Sequence, residues 1–186
     1  MPIDPSTLRV VHYPAPILRA KAQPVHEVTD EVRAVARRMI ELMREEEGIG
    51  LAAPQVGLPW RLFVVHVPPN DERSPGDDPP TATDAPLVCI NPKLTDPSRD
   101  LEPFEEGCLS LPDIRGEVRR PTQITLTATG LDGTPFTLRA GGLLARCFQH
   151  ENDHLDGVLI LDRMTQPSKM KNRLAVRELE EGAELL

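Results

Sequence analysis

The stretch QHENDHLDG, from Gln149 to Gly157, decides how the rest of this chain is interpreted. His150 and His154 are four residues apart, so in an α-helix they are separated by about 6 Å of rise and leave one face. Two imidazoles placed in this way can bind one transition metal, for which zinc is the usual default. Glu151 is offset around the helix and would stay near the metal without ligating it, as suits a base that acts on water. The alternative is a helix with two partly buried histidines, and finding a third ligand decides between the two.

Cys108 is a candidate for that third ligand. The stretch EEGCLSLP, from Glu105 to Pro112, sets this cysteine near glycine and serine in a context typical of a turn. By itself Cys108 could be a nucleophile, a metal ligand or a partly buried thiol. With two histidines available on a helix, ligation is favoured, because one thiolate and two imidazoles suit a tetrahedral site.

Length, charge and cysteine content limit the class of protein. At 186 residues the chain is predicted to be a single domain, residues 1–186, and its net charge of −8 argues against nucleic-acid or anionic-membrane binding. No apolar run approaches the about 18 residues of a membrane span, and residues 1–5 do not resemble a signal or transit peptide. The three cysteines are few and odd in number, unlike a disulfide framework. We therefore expect a cytoplasmic protein whose thiols are reduced.

Hydrophobic periodicity predicts the elements around the histidine helix. Apolar residues at steps of three and four predict a first helix over 29–46, capped by Thr29 or Asp30 and ended by Gly48. Strands are predicted at 61–67 and 87–90, a hairpin from 122–129 and 134–138, and a last helix over 167–181. Residues 68–86 are rich in proline and acids, which predicts a flexible surface loop. The fold class we predict is α+β, with antiparallel strands around the central metal-binding helix and helices at both ends.

A second unusual stretch is GIGLAAPQVG, from Gly48 to Gly57. Its glycines and small residues would let the backbone approach another group closely. A phosphate-binding loop is not favoured, because the stretch follows a charged helix and lacks the Lys-Ser/Thr ending. A turn packed under a helix remains the plain alternative. Gln55 is its one long polar side chain, and a donor there could face developing negative charge.

Three stretches together resemble the peptide deformylase family in sequence, order and spacing. They are GIGLAAPQ at 48–55, EGCLS at 106–110 and HENDH at 150–154, and the likeness spans nearly the whole chain. The resemblance implies a metal-dependent hydrolase that removes the formyl group from the N-terminal formylmethionine of new polypeptides and releases formate. It also implies work near the ribosome exit tunnel, with nascent formylmethionyl polypeptides as partners.

The resemblance also implies roles for individual residues. The metal ligands would be Cys108, His150 and His154. Glu151 would carry the proton of water to the leaving amine, while Gln55 and the backbone N–H of Leu109 would stabilise the oxyanion. The peptide would be aligned as an added strand by Ile49, Gly50 and Gly107, and Arg115 and Cys147 match positions near the pocket for the methionine side chain. Ligand type alone favours zinc, whereas the resemblance implies one Fe²⁺ that Zn²⁺, Ni²⁺ or Co²⁺ can replace.

Arg146 and residues 68–86 depart from the family pattern. Arg146 stands where many members have an apolar residue near the pocket rim, which bears on substrate preference but not on the reaction. The 68–86 segment is longer than many members need.

Two other functions compete with deformylation. A zinc endopeptidase would usually take its third ligand after the histidine helix, but no histidine follows His154, which leaves as formal candidates Glu178, Glu180, Glu181 and Glu184. A non-catalytic, metal-stabilised binding module would need neither Glu151 nor Gln55.

Overall fold

Seven strands in two antiparallel sheets, four α-helices and three short 3₁₀ helices occur in the part of the chain that the structure describes, residues 2–183. This computed structural model has the helices α1 (Asp30–Glu45), α2 (Gly142–Leu155), α3 (Ile160–Arg163) and α4 (Gln166–Ala183). Its strands are β1 (Gly50–Ala52), β2 (Leu62–Val65), β3 (Leu87–Thr95), β4 (Leu101–Cys108), β5 (Leu111–Pro121), β6 (Gln123–Thr129) and β7 (Pro135–Gly141). Among the described residues no helix combines the length and the apolar character needed to cross a bilayer.

The larger sheet has the strand order β1-β2-β3-β6-β7 and lies between α1 and α2. Side chains alternate between the two faces of a strand, and β2 shows the result. Phe63 and Val65 pack with the residues of α2, whereas Leu62 and Val64 pack with those of α1. Because both faces are covered, β2 is an unbroken apolar run rather than an alternating one.

The first helix forms where the periodicity predicts it. The hydroxyl of Thr29 accepts a hydrogen bond from the backbone N–H of Val32, and α1 then runs to Glu45. The buried side chains of this helix form one stripe against the sheet: Val32, Val35, Ala36, Met39, Leu42 and Met43. The helix directs the chain through Gly48 into β1, at the edge of the larger sheet.

Helix α2 is central, because side chains on all its faces are buried. It follows β7 directly, and Gly142 makes the change of direction with a φ of +52°, a conformation that glycine adopts without strain. Leu144, Phe148 and Leu155 pack on the sheet. Five polar side chains of the helix are also buried: Arg146, Gln149, Glu151, Asp153 and His154. Buried charges need partners, so this helix must face a polar site rather than a second apolar layer.

Strands β4 and β5 form a separate two-stranded sheet that the sequence pattern does not predict. Glu106 is the one buried residue of β4, so this strand lacks the alternation that would reveal it. Strand β5 has that alternation and buries Leu111, Ile114 and Val118 against the C-terminal helices. The predicted turn around Cys108 is the short connection between these strands, and the cysteine is the last residue of β4.

The 68–86 segment contains no helix or named strand, and its second half is attached to the fold. Ala82 and Thr83 are 2% and 4% exposed. The backbone N–H of Thr83 donates to the carbonyl of Val67, and that of Gly141 donates to the carbonyl of Pro80. The predicted surface loop is therefore anchored beside the start of α2, and its flexibility stays a prediction.

Candidate active site

Cys108, His150 and His154 come together although they lie in two distant stretches of sequence. Their candidate ligand atoms all lie within 4.8 Å of one another. The sulfur of Cys108 is 3.3 Å from Nε2 of His154, and the two imidazole centroids are 5.0 Å apart. The end of β4 supplies the thiol and one face of α2 supplies both rings. One thiolate and two imidazoles fit a divalent transition metal and leave a fourth tetrahedral position for water or substrate.

Glu106 orients His150 from behind. Oε2 of Glu106 lies 3.0 Å from Nδ1 of His150, and the same carboxylate accepts hydrogen bonds from Arg120 at 2.6 and 2.9 Å. Burial raises the pKa of Glu106, but the hydrogen bonds from His150 and Arg120 outweigh it and leave the pKa well below its ordinary value. An ionised carboxylate on one ring nitrogen leaves the other nitrogen to face a metal.

The charge of Arg120 is balanced on its other side by Asp153. Arg120 donates to Oδ2 of Asp153 at 2.8 Å, and Arg163 donates to Oδ1 at 2.8 Å. This network ties α2 to β5 and to α3. The sequence pattern gave Glu106, Arg120 and Asp153 no role. Asp153 stands inside the HENDH motif, but nothing in the sequence marks Arg120 as its partner.

Glu151 lies beside the ligands and is 4% exposed. Burial raises the pKa of Glu151 from 4.5 to about 7. Its Oε2 is buried and has no hydrogen-bond partner among the described residues. A carboxyl group with a pKa near neutrality can both accept and donate a proton at physiological pH. This residue is therefore suited to a proton-transfer role.

Gln55 directs an N–H group toward the same place. The backbone N–H of Ala52 donates to Oε1 of Gln55 at 2.8 Å, which fixes the orientation of the amide. Its Nε2 then lies 3.5 Å from the sulfur of Cys108 and 3.3 Å from Oγ of Ser110. Leu109 stands in the turn directly after Cys108. Donors next to a ligand can stabilise negative charge that develops there.

A cavity of about 640 Å³ opens onto these groups. His154 is 1% exposed and is not part of the lining. The other ten of the eleven predicted site residues line the cavity: Ile49, Gly50, Gln55, Gly107, Cys108, Leu109, Arg115, Cys147, His150 and Glu151. Strand β1 is the terminal strand of the larger sheet, and its first residue, Gly50, lines the cavity. An extended peptide could therefore pair with β1.

Arg115 and Cys147, the residues predicted near the pocket for the methionine side chain, differ in environment. Arg115 is exposed on β5, opposite Gly107 in the strand register. Cys147 is buried, and its thiol lies 3.4 Å from the carbonyl oxygen of Ile49, to which it donates. Burial raises the pKa of Cys147 well above its ordinary value, so this group is a thiol rather than a thiolate.

The chain matches the polypeptide deformylase family model over residues 7–170. It belongs to the peptide deformylase family. It is 44% identical over 169 residues to peptide deformylase 2 of Gloeobacter violaceus, covering 88% of this chain and 85% of that relative. It is similar to the crystal structure of the Thermotoga maritima peptide deformylase, with a TM-score of 0.74 and 37% identity over 85% of this chain and 97% of that one. For a Plasmodium falciparum peptide deformylase the TM-score is 0.84, with 34% identity over 95% of this chain and 98% of that one.

The family that the three motifs predict and the α+β fold that the sequence pattern predicts are confirmed. As a peptide deformylase, the protein is a hydrolase that removes the formyl group from new polypeptides. The family implies a divalent metal, and the Cys-His-His group fits one. The endopeptidase and the binding module are set aside by this assignment.

Proposed function

We propose that Cys108, His150 and His154 hold one divalent metal and that the formyl group of formylmethionyl peptides is hydrolysed beside it. The observation that carries this proposal is the meeting of three ligand atoms, within 4.8 Å of one another, with the buried carboxyl of Glu151. The family resemblance supports Fe²⁺ as the metal in the cell, with Zn²⁺, Ni²⁺ or Co²⁺ as replacements. When bound, the metal supplies Lewis acidity at the open ligand position.

Glu151 moves the proton in the proposed reaction. Its carboxylate takes a proton from the attacking water while the water oxygen bonds to the formyl carbon. The same group then gives the proton to the amide nitrogen as the carbon–nitrogen bond breaks, so that formate and a free amine are released. A pKa near 7 supports both halves of this transfer at neutral pH.

Gln55 and Leu109 stabilise the charge that forms on the formyl oxygen. Nε2 of Gln55 is fixed toward the ligands by the hydrogen bond from Ala52, so the donor needs no reorganisation during the reaction. Removing one such donor typically lowers kcat by about 10²–10³-fold. The backbone N–H of Leu109 is the second donor, and a side-chain substitution cannot remove it.

The peptide binds along β1 in an extended conformation. Backbone groups of Ile49 and Gly50 align the peptide on one side, and those of Gly107 align it on the other. The position of all three residues in the cavity lining supports this arrangement. The methionine side chain enters the part of the cavity lined by Cys147, and Arg115 lies at its exposed edge. Alignment by backbone groups makes binding tolerant of the peptide sequence beyond methionine.

The deciding experiment is formate release from a short formyl-Met peptide. The protein is prepared without oxygen and loaded with Fe²⁺, and parallel samples carry Zn²⁺, Ni²⁺ or Co²⁺. We expect one formate for each free amino terminus and no cleavage of an internally placed peptide bond. Absence of formate from protein with one bound metal would contradict the proposed reaction, and internal cleavage would revive the endopeptidase.

We also propose that the protein acts in the cytoplasm, near the ribosome exit tunnel. Helix α4 supports it, because Met170 and Leu174 are 78% and 73% exposed while Asn172 anchors the helix to β5 by a bond to the carbonyl of Arg115. Replacing Met170 and Leu174 together by serine should reduce co-sedimentation with ribosomes and leave formate release unchanged. Equal co-sedimentation of this variant and the parent would count against α4 as the contact.

A further inference from the structure

Arg146 joins the two parts of the structure that carry the candidate ligands. It precedes His150 by one helical turn, and its side chain is 7% exposed. Its Nη1 donates to Oε1 of Glu106 at 2.8 Å and to the carbonyl of Val118 at 3.0 Å, and its Nη2 donates to the carbonyl of Glu102 at 2.6 Å. One guanidinium thus links α2 to both strands of the β4–β5 hairpin, whose first strand ends in Cys108.

The contact with Glu106 completes the hydrogen bonding of that carboxylate. Oε1 accepts from Arg120 and Arg146, whereas Oε2 accepts from Arg120 and faces His150. An ionised carboxylate has about four lone-pair sites, so all of them are used. With both oxygens held by arginines, rotation of the carboxylate away from His150 would break at least two charged hydrogen bonds.

The far side of the guanidinium is covered by an aromatic ring. The Cζ atom of Arg146 lies 5.3 Å from the ring centroid of Phe104, within the range of a cation–π contact. Phe104 is 49% exposed and also lines the cavity. Three hydrogen bonds hold the guanidinium to protein acceptors, and the side chain of Arg146 also forms part of the cavity lining.

We infer that Arg146 is a positioning residue that holds Glu106 and the β4–β5 hairpin so that His150 and Cys108 are preorganised to bind the metal together. This inference rests on the proposed metal site. Outer groups that orient a ligand typically change metal affinity or activity by about 10–100-fold when they are removed.

The test compares Arg146→Leu, Arg146→Lys and Arg139→Leu in the Co²⁺-loaded protein. Arg139 is the matched control, because it also joins neighbouring segments, with bonds to Thr125, Gln123 and the carbonyl of Asp96, but lies on β7 outside the cavity lining. The measurements are the visible absorption of Co²⁺, its dissociation rate into excess chelator, the separate values of kcat and KM, and Tm.

For Arg146→Leu we expect a changed Co²⁺ spectrum, dissociation faster by about 10-fold or more, and a lower kcat with little change in KM. In Arg146→Lys, Co²⁺ should dissociate more slowly than in Arg146→Leu but faster than in the parent. The ammonium can still contact Glu106, but it cannot reach three acceptors at once. Arg139→Leu should keep the parental spectrum and rate even where its Tm falls.

A lower Tm for Arg146→Leu with the parental spectrum and dissociation rate would overturn the inference and leave only a structural role. If the leucine variant does not fold, Arg146→Lys is judged by the same two measurements. A parental protein that binds no Co²⁺ would instead contradict the proposed metal site, so the two failures are distinguishable.

Discussion

Glu151 lies in an environment unlike that of an ordinary surface carboxyl. It is buried, its pKa is raised to about 7, and Oε2 has no partner among the described residues. Glu151→Gln keeps the size and polarity of the side chain but removes its ability to take a proton. We expect bound metal to remain at the parental content and the rate of formate release to fall by about 10²–10⁴-fold.

Metal analysis and formate release on the same preparation check this expectation. Glu178→Gln is the control, because Glu178 is an exposed acid of α4. A Glu151→Gln variant with nearly parental turnover would show that another group transfers the proton. Loss of metal together with activity would assign Glu151 a binding role instead.

Gly50 matters because it lies against Glu151. A Cβ atom at this position would be 2.9 Å from the sulfur of Cys147 and closer still to the carboxylate of Glu151. In Gly50→Ala the carboxylate must therefore shift, and misplacement of a reacting group by about 1 Å can lower a rate by about 10²-fold. We expect a folded, metal-binding variant with a kcat reduced to that extent.

Gly76→Ala is the matched control, since Gly76 lies in the exposed segment and its nearest neighbour would be Ser74 Oγ at 3.4 Å. Its kcat should equal that of the parent. Parental kcat in Gly50→Ala as well would mean that Glu151 has room to move without loss of function.

For single residues, the sequence predicts a functional role where the motif is local. It does not predict one where the interacting residues are distant in the sequence. The spacing of His150 and His154 is enough to predict a shared face. Nothing near Arg120 or Arg146 in the sequence indicates that both would meet Glu106, because a buried ion network depends on three elements that pack together only in the fold.

At the scale of elements, the 68–86 segment combines an exposed tip with an anchored base. Residues 71–78 contain no fully buried side chain, whereas Thr83 is 4% exposed and its Oγ1 accepts a bond from the N–H of Val67 and contacts Nδ1 of His66. Replacing residues 71–78 by a short Gly-Ser linker should leave kcat and KM nearly unchanged, because none of these residues lines the cavity.

Thr83→Val is the contrasting variant. It leaves the buried N–H of Val67 without its hydroxyl partner, and we expect the free energy of unfolding to fall by about 1–3 kcal/mol. Chemical denaturation measures the difference. A tip replacement that lowers kcat strongly in a folded protein would give the segment a functional role. Retention of full stability in Thr83→Val would show that the hydroxyl is not part of the anchor.

Elements were predictable where one face is buried and the other is exposed. The stripe of α1 is of this kind, and its bounds differ from the prediction by one residue at each end. Strand β4 was missed because Glu106 is its single buried residue, so its structure depends on pairing with β5 rather than on its own pattern. The turn chemistry after Thr129 revealed the β6–β7 hairpin, because a glycine-rich turn is a local signal.

At the scale of the whole molecule, we propose that residues 1–186 form one domain whose two sheets are joined at the metal site. Helix α2 packs on the larger sheet and supplies His150 and His154, whereas the smaller sheet supplies Cys108. A bound metal would therefore bridge the two sheets. A ligand that binds only the folded state stabilises it by about 2.7 kcal/mol when its concentration is 100 times its Kd.

Removing the metal by chelation should lower Tm without splitting the transition. For a chain of this size about 1 kcal/mol corresponds to about 2–4 °C, so we expect a decrease of roughly 5–11 °C at that degree of saturation. Calorimetry of the metal-loaded and chelated protein measures the shift.

Cys108→Ser is the control, because weaker ligation should make its Tm respond much less to chelator. Two separate transitions in the chelated protein would contradict a single domain. A Tm independent of metal in the parent would mean that the metal does not connect the sheets, because the ion network of Glu106, Arg120 and Arg146 already holds the hairpin to α2.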